Sequence, residues 1–470
     1  MKSYAPEHIR NIALVSHQGA GKTTLAEAVL FKTGAIGRMG SVDEGTSNLD
    51  YHQSEIEHKT SIFTAIGSCE YEETKFNLVD TPGFEDFRGE AIAALSVVES
   101  AMVSVRADGG VEVGTEAVWQ LVEDNDLPAI IVVTKMDKEH ANFEQVYAQI
   151  RERLSAKAIP VQLPIGEGEN FHGLVDVALG KAFLYDASGK ATEAEIPEEM
   201  REAYEEAREE LFNAAAEHDD ALVEKFLEEG ELSYEEITRG IQIGVRDRTF
   251  FPVCAVSTTG GGVGMRPLLH CIKEYLPASN VRETLTGLKG EELVELKTGT
   301  EAPTLARVFK ISIEKDAGEF SLMRCYAGSV EAGSEIQNVS QEKTERVSQL
   351  FSLEGKNREK IERITAGDLG AAVKLKDTHC GDTLGARGVD ATLPKIAYPV
   401  PNSRVTLRPA KDGDDDKVAQ GLHRLHEEDP TFLVHNDPET HEMVLEGMGE
   451  MHFEIILERL ARRYSVEVTR

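Results

Sequence analysis

The chain has 470 residues, which at roughly 100 to 200 residues per domain predicts about three domains. Acidic residues number 83 against 50 basic ones, a formal charge of −33 in a composition 41% hydrophobic and 28% charged, which excludes disordered and collagenous chains. That charge also argues against a general nucleic-acid sleeve, because phosphate contacts need clustered Lys and Arg. The longest apolar runs, such as 129–133, fall far short of the roughly 20 residues of a membrane span, and the N terminus lacks a signal-peptide core. Five scattered cysteines show no Cys-x-x-Cys spacing. A cytoplasmic protein without disulfides, zinc or a membrane segment is expected.

Residues 9–134 alternate short apolar strands with helical segments, the rhythm of a mainly parallel sheet with crossover helices. Strands are predicted at 9–16, 61–69, 75–80, 101–106 and 129–134, with helices at 22–33, 85–100 and 111–125 between them. The rhythm breaks at an acidic block and resumes with a strand at 253–257 and a helix at 263–275, so an insertion at about 158–250 is expected inside a first domain of 1–280. Within it, 193–236 carries many carboxylates with Leu, Phe and Ala at helical spacing, which predicts acidic amphipathic helices. These present either a solvated face or a surface for a basic partner.

From 303 to 384 short strands alternate with Gly turns, suggesting a small β-barrel within 281–395. The last stretch, 396–470, reads strand 403–409, helix 415–428, strands 431–435 and 442–446, helix 449–464 and a terminal strand, a β-α-β-β-α-β order.

The strongest local signal is Ser16-His17-Gln18-Gly19-Ala20-Gly21-Lys22-Thr23-Thr24, a phosphate-binding loop between a strand and a helix, departing only in Ser for Gly at its first position. Backbone N–H groups and the positive helix end suit phosphate oxygens, Lys22 adds a mobile charge that can act in the transition state, and Thr23 offers a hydroxyl to Mg²⁺. Asp80-Thr81-Pro82-Gly83 follows an apolar strand, so Asp80 can hold Mg²⁺ through water and the Gly83 N–H can sense a γ-phosphate. Thr134-Lys135-Met136-Asp137 ends the next strand. The Asp137 carboxylate can accept from N1–H and the exocyclic amine of guanine, for which adenine has no matching donor pair, while the Lys135 stem covers the base. Ser257 and Thr258, at a further strand end, can supply N–H donors to the guanine carbonyl.

These elements resemble the motifs of translational GTPases, and the chain is most similar to the elongation factor G family. The resemblance extends through 161–166 and 169–171, through 324–330, 366–368 and 381–384, and through Glu428-Asp429-Pro430-Thr431-Phe432 and Gly447-Met448-Gly449-Glu450-Met451-His452. It implies an α/β P-loop GTPase domain with an inserted α/β subdomain, a β-barrel and an α+β ferredoxin-like domain. It also implies GTP or GDP with Mg²⁺, binding to the ribosome, contact between the insertion and the ribosomal stalk protein, and a monomer. The family passes into a fourth domain where this chain stops, so a longer native chain is expected.

Departures bear on mechanism. Phe84 stands where the family carries the His that orients the attacking water, and a phenyl ring has no hydrogen bond to offer it. Gly19 replaces Asp, weakening an inferred monovalent-cation site, and Thr134 replaces Asn. Segment 50–62 keeps only the frame of the first switch, where Ser61 takes the place of a Mg²⁺-binding Thr and Thr60 competes with it. His17, His52 and His58 are assigned no catalytic role. Three readings follow: a slow GTP-hydrolysing relative of elongation factor G, a GTP-dependent binding switch with negligible hydrolysis, or a release-factor-type GTPase. GDP production with and without ribosomes separates the first two, and the length of the intact gene bears on the third.

Overall fold

The computed structural model of the chain describes residues 2–217, 220–229, 232–259, 261–314, 318–411 and 413–470. Residues 218, 219, 230 and 231, which fall within the predicted acidic helices, lie outside the described residues.

The first sheet forms where the apolar runs are continuous rather than alternating, as strands covered on both faces must be. It comprises β1 (Ile9–Val15), β2 (Ala65–Tyr71), β3 (Thr74–Asp80), β4 (Ser100–Arg106), β5 (Ala129–Thr134), β6 (Ala158–Pro160) and, after an excursion, β11 (Phe251–Ala255), in the order β2-β3-β1-β4-β5-β11-β6. All neighbours are parallel except β2 and β3, joined as a hairpin. Every residue of β5 is buried. The covering helices are α1 (Lys22–Lys32), α3 (Arg88–Leu95), α4 (Val113–Asp124), α5 (Phe143–Arg153) and α9 (Met265–Tyr275), while α2 (Gln53–His58) belongs to the first switch. Trp119 of α4 meets Phe251 of β11 edge to face at 4.8 Å, closing the core on that side.

The sequence predicts one helix over 85–100; instead a single 3-10 turn at Glu85–Phe87 precedes a shorter α3. Helix α5 is absent from the sequence reading, although Asn142 caps it and Phe143, Val146 and Ile150 share its buried face. The excursion contains an antiparallel sheet, β7 (Gln162–Ile165), β8 (Gly173–Asp176), β9 (Lys181–Tyr185) and β10 (Ala191–Ala194), and the helices α6 (Arg201–Ala216), α7 (Asp220–Glu229) and α8 (Tyr234–Arg246).

Next come the hairpin β12 (Thr284–Lys289) and β13 (Glu292–Lys297), then β14 (Leu305–Glu314) and β15 (Gly318–Ala327), the long strands at the centre of an eight-stranded antiparallel sheet. The barrel is fixed to the first domain by buried polar groups. Arg324 of β15 pairs with Glu99 at 2.8 Å, Lys75 of β3 pairs with Asp368 at 2.8 Å, and the Asn77 amide donates to Asn11 at 2.8 Å and to Asp368 at 2.9 Å. Two barrel motifs that carry the resemblance therefore supply interface ions.

The last region sets α10 (Asp415–Glu428) and α11 (Glu450–Tyr464) against a four-stranded antiparallel sheet, with the strand beginning at Ser403 between the one beginning at Met443 and the terminal one. This is the ferredoxin-like arrangement that the element order predicts.

Candidate nucleotide site

The loop between β1 and α1 needs positive φ at Gly19 (76°) and Gly21 (83°), which glycine adopts without a Cβ penalty. Ala20 between them is buried, and Thr24 lies in the first turn of α1. Lys22 is buried beneath the loop, its Nζ donating to the carbonyls of Ser16 at 3.2 Å and His17 at 3.1 Å. Burial lowers the Lys22 ammonium to about 8, against the pull of Asp80 and Asp50.

Beside it the structure gathers four oxygen-bearing side chains. Thr23 Oγ1 lies 2.9 Å from Ser61 Oγ, and Ser61 Oγ donates to Asp50 at 3.1 Å. The Ser61 hydroxyl, rather than that of Thr60, therefore reaches Thr23. Asp80 Oδ1 is buried without a hydrogen-bond partner. Burial, helped by the Asp50 charge, pushes Asp80 up to about 7, and burial pushes Asp50 up to about 6 although the Ser61 hydrogen bond opposes it. Crowded carboxylates with an orphaned oxygen, beside two hydroxyls, fit a hard divalent cation such as Mg²⁺. Among the described residues no group of three or more His, Cys, Asp and Glu can hold a metal, so the donor set would need hydroxyl and phosphate oxygens as well. Sequence reasoning did not single out Asp50 as a member of this group.

Gly83 is a close approach: a Cβ there would sit 2.5 Å from Lys22 Nζ and 2.7 Å from the Gln18 N. Its neighbour Phe84 turns elsewhere. The ring joins a cluster of Ile62, Phe63 and Phe87 with Met451 and Ile455 of α11, and meets Phe87 edge to face at 6.5 Å. Asp86 accepts from the His452 N–H at 3.2 Å, next to Gly449, where a Cβ would fall 2.5 Å from Asp86 Oδ2. His58 pairs with Glu458 of α11 at 3.1 Å, and His52 lies tilted against Tyr51 at 4.4 Å and edge to face with Phe63 at 4.9 Å. His17 lies 3.6 Å from Glu112.

At the opposite end, Thr134 Oγ1 donates to the Ala20 carbonyl at 2.8 Å, tying the end of β5 to the phosphate loop with Thr in the place of Asn. Lys135 adopts φ of 59°, and its Cε passes 3.9 Å from where a Gly21 Cβ would be. The Asp137 carboxylate accepts from Ser257 Oγ at 2.7 Å and from Thr259 Oγ1 at 2.6 Å. Burial alone would raise Asp137, but these two hydroxyls hold it below the ordinary carboxylate value, charged and aimed. The structure thus brings Ser257 to Asp137 and adds the Thr259 hydroxyl, with Thr258 half-buried between them in sequence.

Three family models account for most of the chain: the elongation factor Tu GTP binding domain over residues 7–278, elongation factor G domain 2 over 303–387 and elongation factor G domain III over 398–470. The crystal structure of a Thermus thermophilus protein superposes with a TM-score of 0.87 at 34% identity, covering 98% of this chain and 67% of that one. No helix among the described residues is long and apolar enough to cross a membrane. With three consecutive domains matched by these models and a solved structure at 34% identity over 98% of its length, the chain belongs to the translational GTPases of the elongation factor G type.

Proposed function

We propose that the protein is a monomeric cytoplasmic factor that binds GTP with Mg²⁺, hydrolyses it slowly and acts on the ribosome. The observation that carries the nucleotide reading is the buried oxygen group of Thr23, Asp50, Ser61 and the orphaned Asp80 Oδ1 beside Lys22. Thr23, Ser61 and Asp80 would hold Mg²⁺, which would supply positive charge against that developing on the phosphate. For the chain's own part, the loop from Gln18 to Thr24 binds phosphate, Lys22 supplies charge, Gly83 offers an N–H at the closest approach, and Asp137 reads guanine between Lys135, Ser257 and Thr258.

Slow hydrolysis rests on Phe84. The position that would orient water holds a ring packed against α11, so nucleotide affinity is kept while the water lacks a partner. Orienting water and stabilising charge are each worth about 10² to 10³ in rate. Phe84→His should therefore accelerate single-turnover GTP hydrolysis at saturating ribosomes by up to about that factor, with little change in GDP affinity. If the unmodified protein already turns over as fast as an ordinary elongation factor G, Phe84 is not limiting. The same packing favours a second reading, a GTP-dependent switch with negligible hydrolysis; it stands if ribosomes produce no GDP above background.

The acidic helices α6 to α8 are the surface we assign to the ribosomal stalk protein, through electrostatic steering whose rate falls with salt. Deleting 193–239 should slow association with ribosomes. Unchanged association kinetics would remove this assignment.

A further inference from the structure

Glu27 stands one turn beyond Thr23 on α1 and has 0% exposure. A buried carboxylate is costly unless it is paired or fully hydrogen-bonded. Glu27 accepts from five donors, all of them in residues 40–49, which lead into the first switch: Gly40 N at 2.9 Å, Ser47 Oγ at 2.8 Å, Asn48 N at 2.5 Å, Asn48 Nδ2 at 3.0 Å and Leu49 N at 3.2 Å. Ser47 spends its proton on Glu27, and its oxygen then accepts the N–H groups of Leu49 and Asp50, both at 3.1 Å. Those two amides fix the residue whose carboxylate receives Ser61, and Ser61 meets Thr23. A continuous chain of hydrogen bonds therefore starts and ends on α1, within one helical turn.

The backbone is shaped to this carboxylate. A Cβ on Gly40 would lie 2.6 Å from Ser47 Cα and 2.9 Å from Glu27 Oε2, so the switch closes over Glu27 only because residue 40 has no side chain. The Asn48 carbonyl, facing away, accepts the Lys356 N–H of the barrel at 3.0 Å. The segment held by Glu27 is thus also the one the barrel touches.

We infer that Glu27 is a positioning residue that closes the first switch: its carboxylate gathers residues 40–49 onto α1 and so presents Asp50 and Ser61 beside Thr23 and Asp80. This rests on reading the site as a nucleotide switch, because the closed segment favours GTP over GDP only if the γ-phosphate and its cation engage Asp50 and Ser61.

Glu27→Gln keeps the volume but turns an amide donor toward donors that need an acceptor. In the nucleotide-free full chain, amide hydrogen exchange at Gly40, Asn48, Leu49 and Asp50 should quicken by about tenfold or more, while β1 and β5 amides keep their protection. With Mg²⁺ saturating, the ratio of GTP to GDP affinity, read by competition with a fluorescent guanine nucleotide, should fall by about tenfold. Ser47→Ala, which removes one donor and leaves the carboxylate, should move both readouts the same way by less. Unchanged exchange at the four amides in folded Glu27→Gln, or exchange that rises equally in β1 and β5, overturns the inference, as does an unchanged affinity ratio. If the protein binds no guanine nucleotide, the reading of the site fails, while the exchange measurement still decides whether Glu27 holds the switch.

Discussion

At the Asp137 end of the site, two short loops of one domain meet; at the switch end, side chains from three domains converge on a few residues. Asp137 is held by two hydroxyls from the loop after β11. Phe63, by contrast, lies under Lys310 of the barrel at 5.5 Å and under Arg459 of α11 at 4.8 Å. Thr64 donates at 2.7 Å to Glu90, the same carboxylate that receives Lys310. Glu428 accepts the Ile313 N–H at 3.0 Å and pairs with Arg459 at 2.7 Å and Arg463 at 2.5 Å. The guanine end can therefore be altered without disturbing domain contacts, whereas the switch end cannot. Under the proposed nucleotide reading, ordering of residues 50–64 would act directly on the junction of the three domains.

The largest effect expected from this contrast is on base choice. Asp137→Asn exchanges an acceptor for a donor against the guanine edge, and a site built for hydrogen bonds rejects a mismatched partner by about 10⁴. Guanine nucleotide affinity should collapse and xanthine nucleotides should bind instead, while amide protection at 58–64 stays as it was. Equal affinities for GTP and ATP in the unmodified protein would sink the assignment.

A smaller effect, confined to the other end, follows from Glu428. Glu428→Ala leaves Arg459 and Arg463 facing each other without a counter-charge and strips the Ile313 N–H of its acceptor, which typically costs about 3 to 5 kcal/mol. Urea unfolding should then show α10 and α11 lost ahead of the first domain, with guanine preference retained. A single unshifted transition would mean that the junction carries no such load.

How much of this was legible in the sequence divides along the same line. The phosphate loop, Asp80 and Asp137 could be read because each is a short pattern at the end of an apolar strand. Thr259 was not singled out, because its hydroxyl reaches Asp137 only through the turn after Ser257, which no short pattern announces. Glu27 looks like an ordinary polar position of a helix, and its burial depends on a segment that begins thirteen residues away in sequence. Helix α5 was missed among its charges, although the Asn142 cap and apolar residues at 143, 146 and 150 gave a signal. The motifs at 428–432 and 447–452 carried the family resemblance but not their purpose. In the structure they prove to be the junction with residues 84–90, where Asp86 accepts the His452 N–H and Gly89 has no room for a Cβ against Thr431.

The smallest effect concerns acid, and it distinguishes the ends once more. His452 Nδ1 accepts the Met448 N–H at 3.1 Å, so its proton sits on Nε2 and is donated to Asp429 Oδ2 at 2.9 Å. Burial pushes Asp429 up, but the hydrogen bonds from His452 and Thr431 prevail and hold its carboxyl well below the ordinary value of 3.8. A carboxyl depressed in the folded state contributes stability that is complete above the unfolded value and is lost as pH falls through the interval beneath it. Stability of the α10 and α11 region should therefore decline below pH about 4, by at most about 1.4 kcal/mol per pH unit from this group. Asp429→Asn places an amide against the Nε2–H, so the variant should be weaker at neutral pH by about 1 to 3 kcal/mol. Its stability should also fall less steeply in acid, because the carboxyl that took up the proton is gone. Urea midpoints for both proteins at pH 7, 4 and 3 test the pair of effects: parallel curves would show that Asp429 does not sustain the acid response, whereas convergence toward low pH would assign it to the Asp429–His452 contact between the end of α10 and α11.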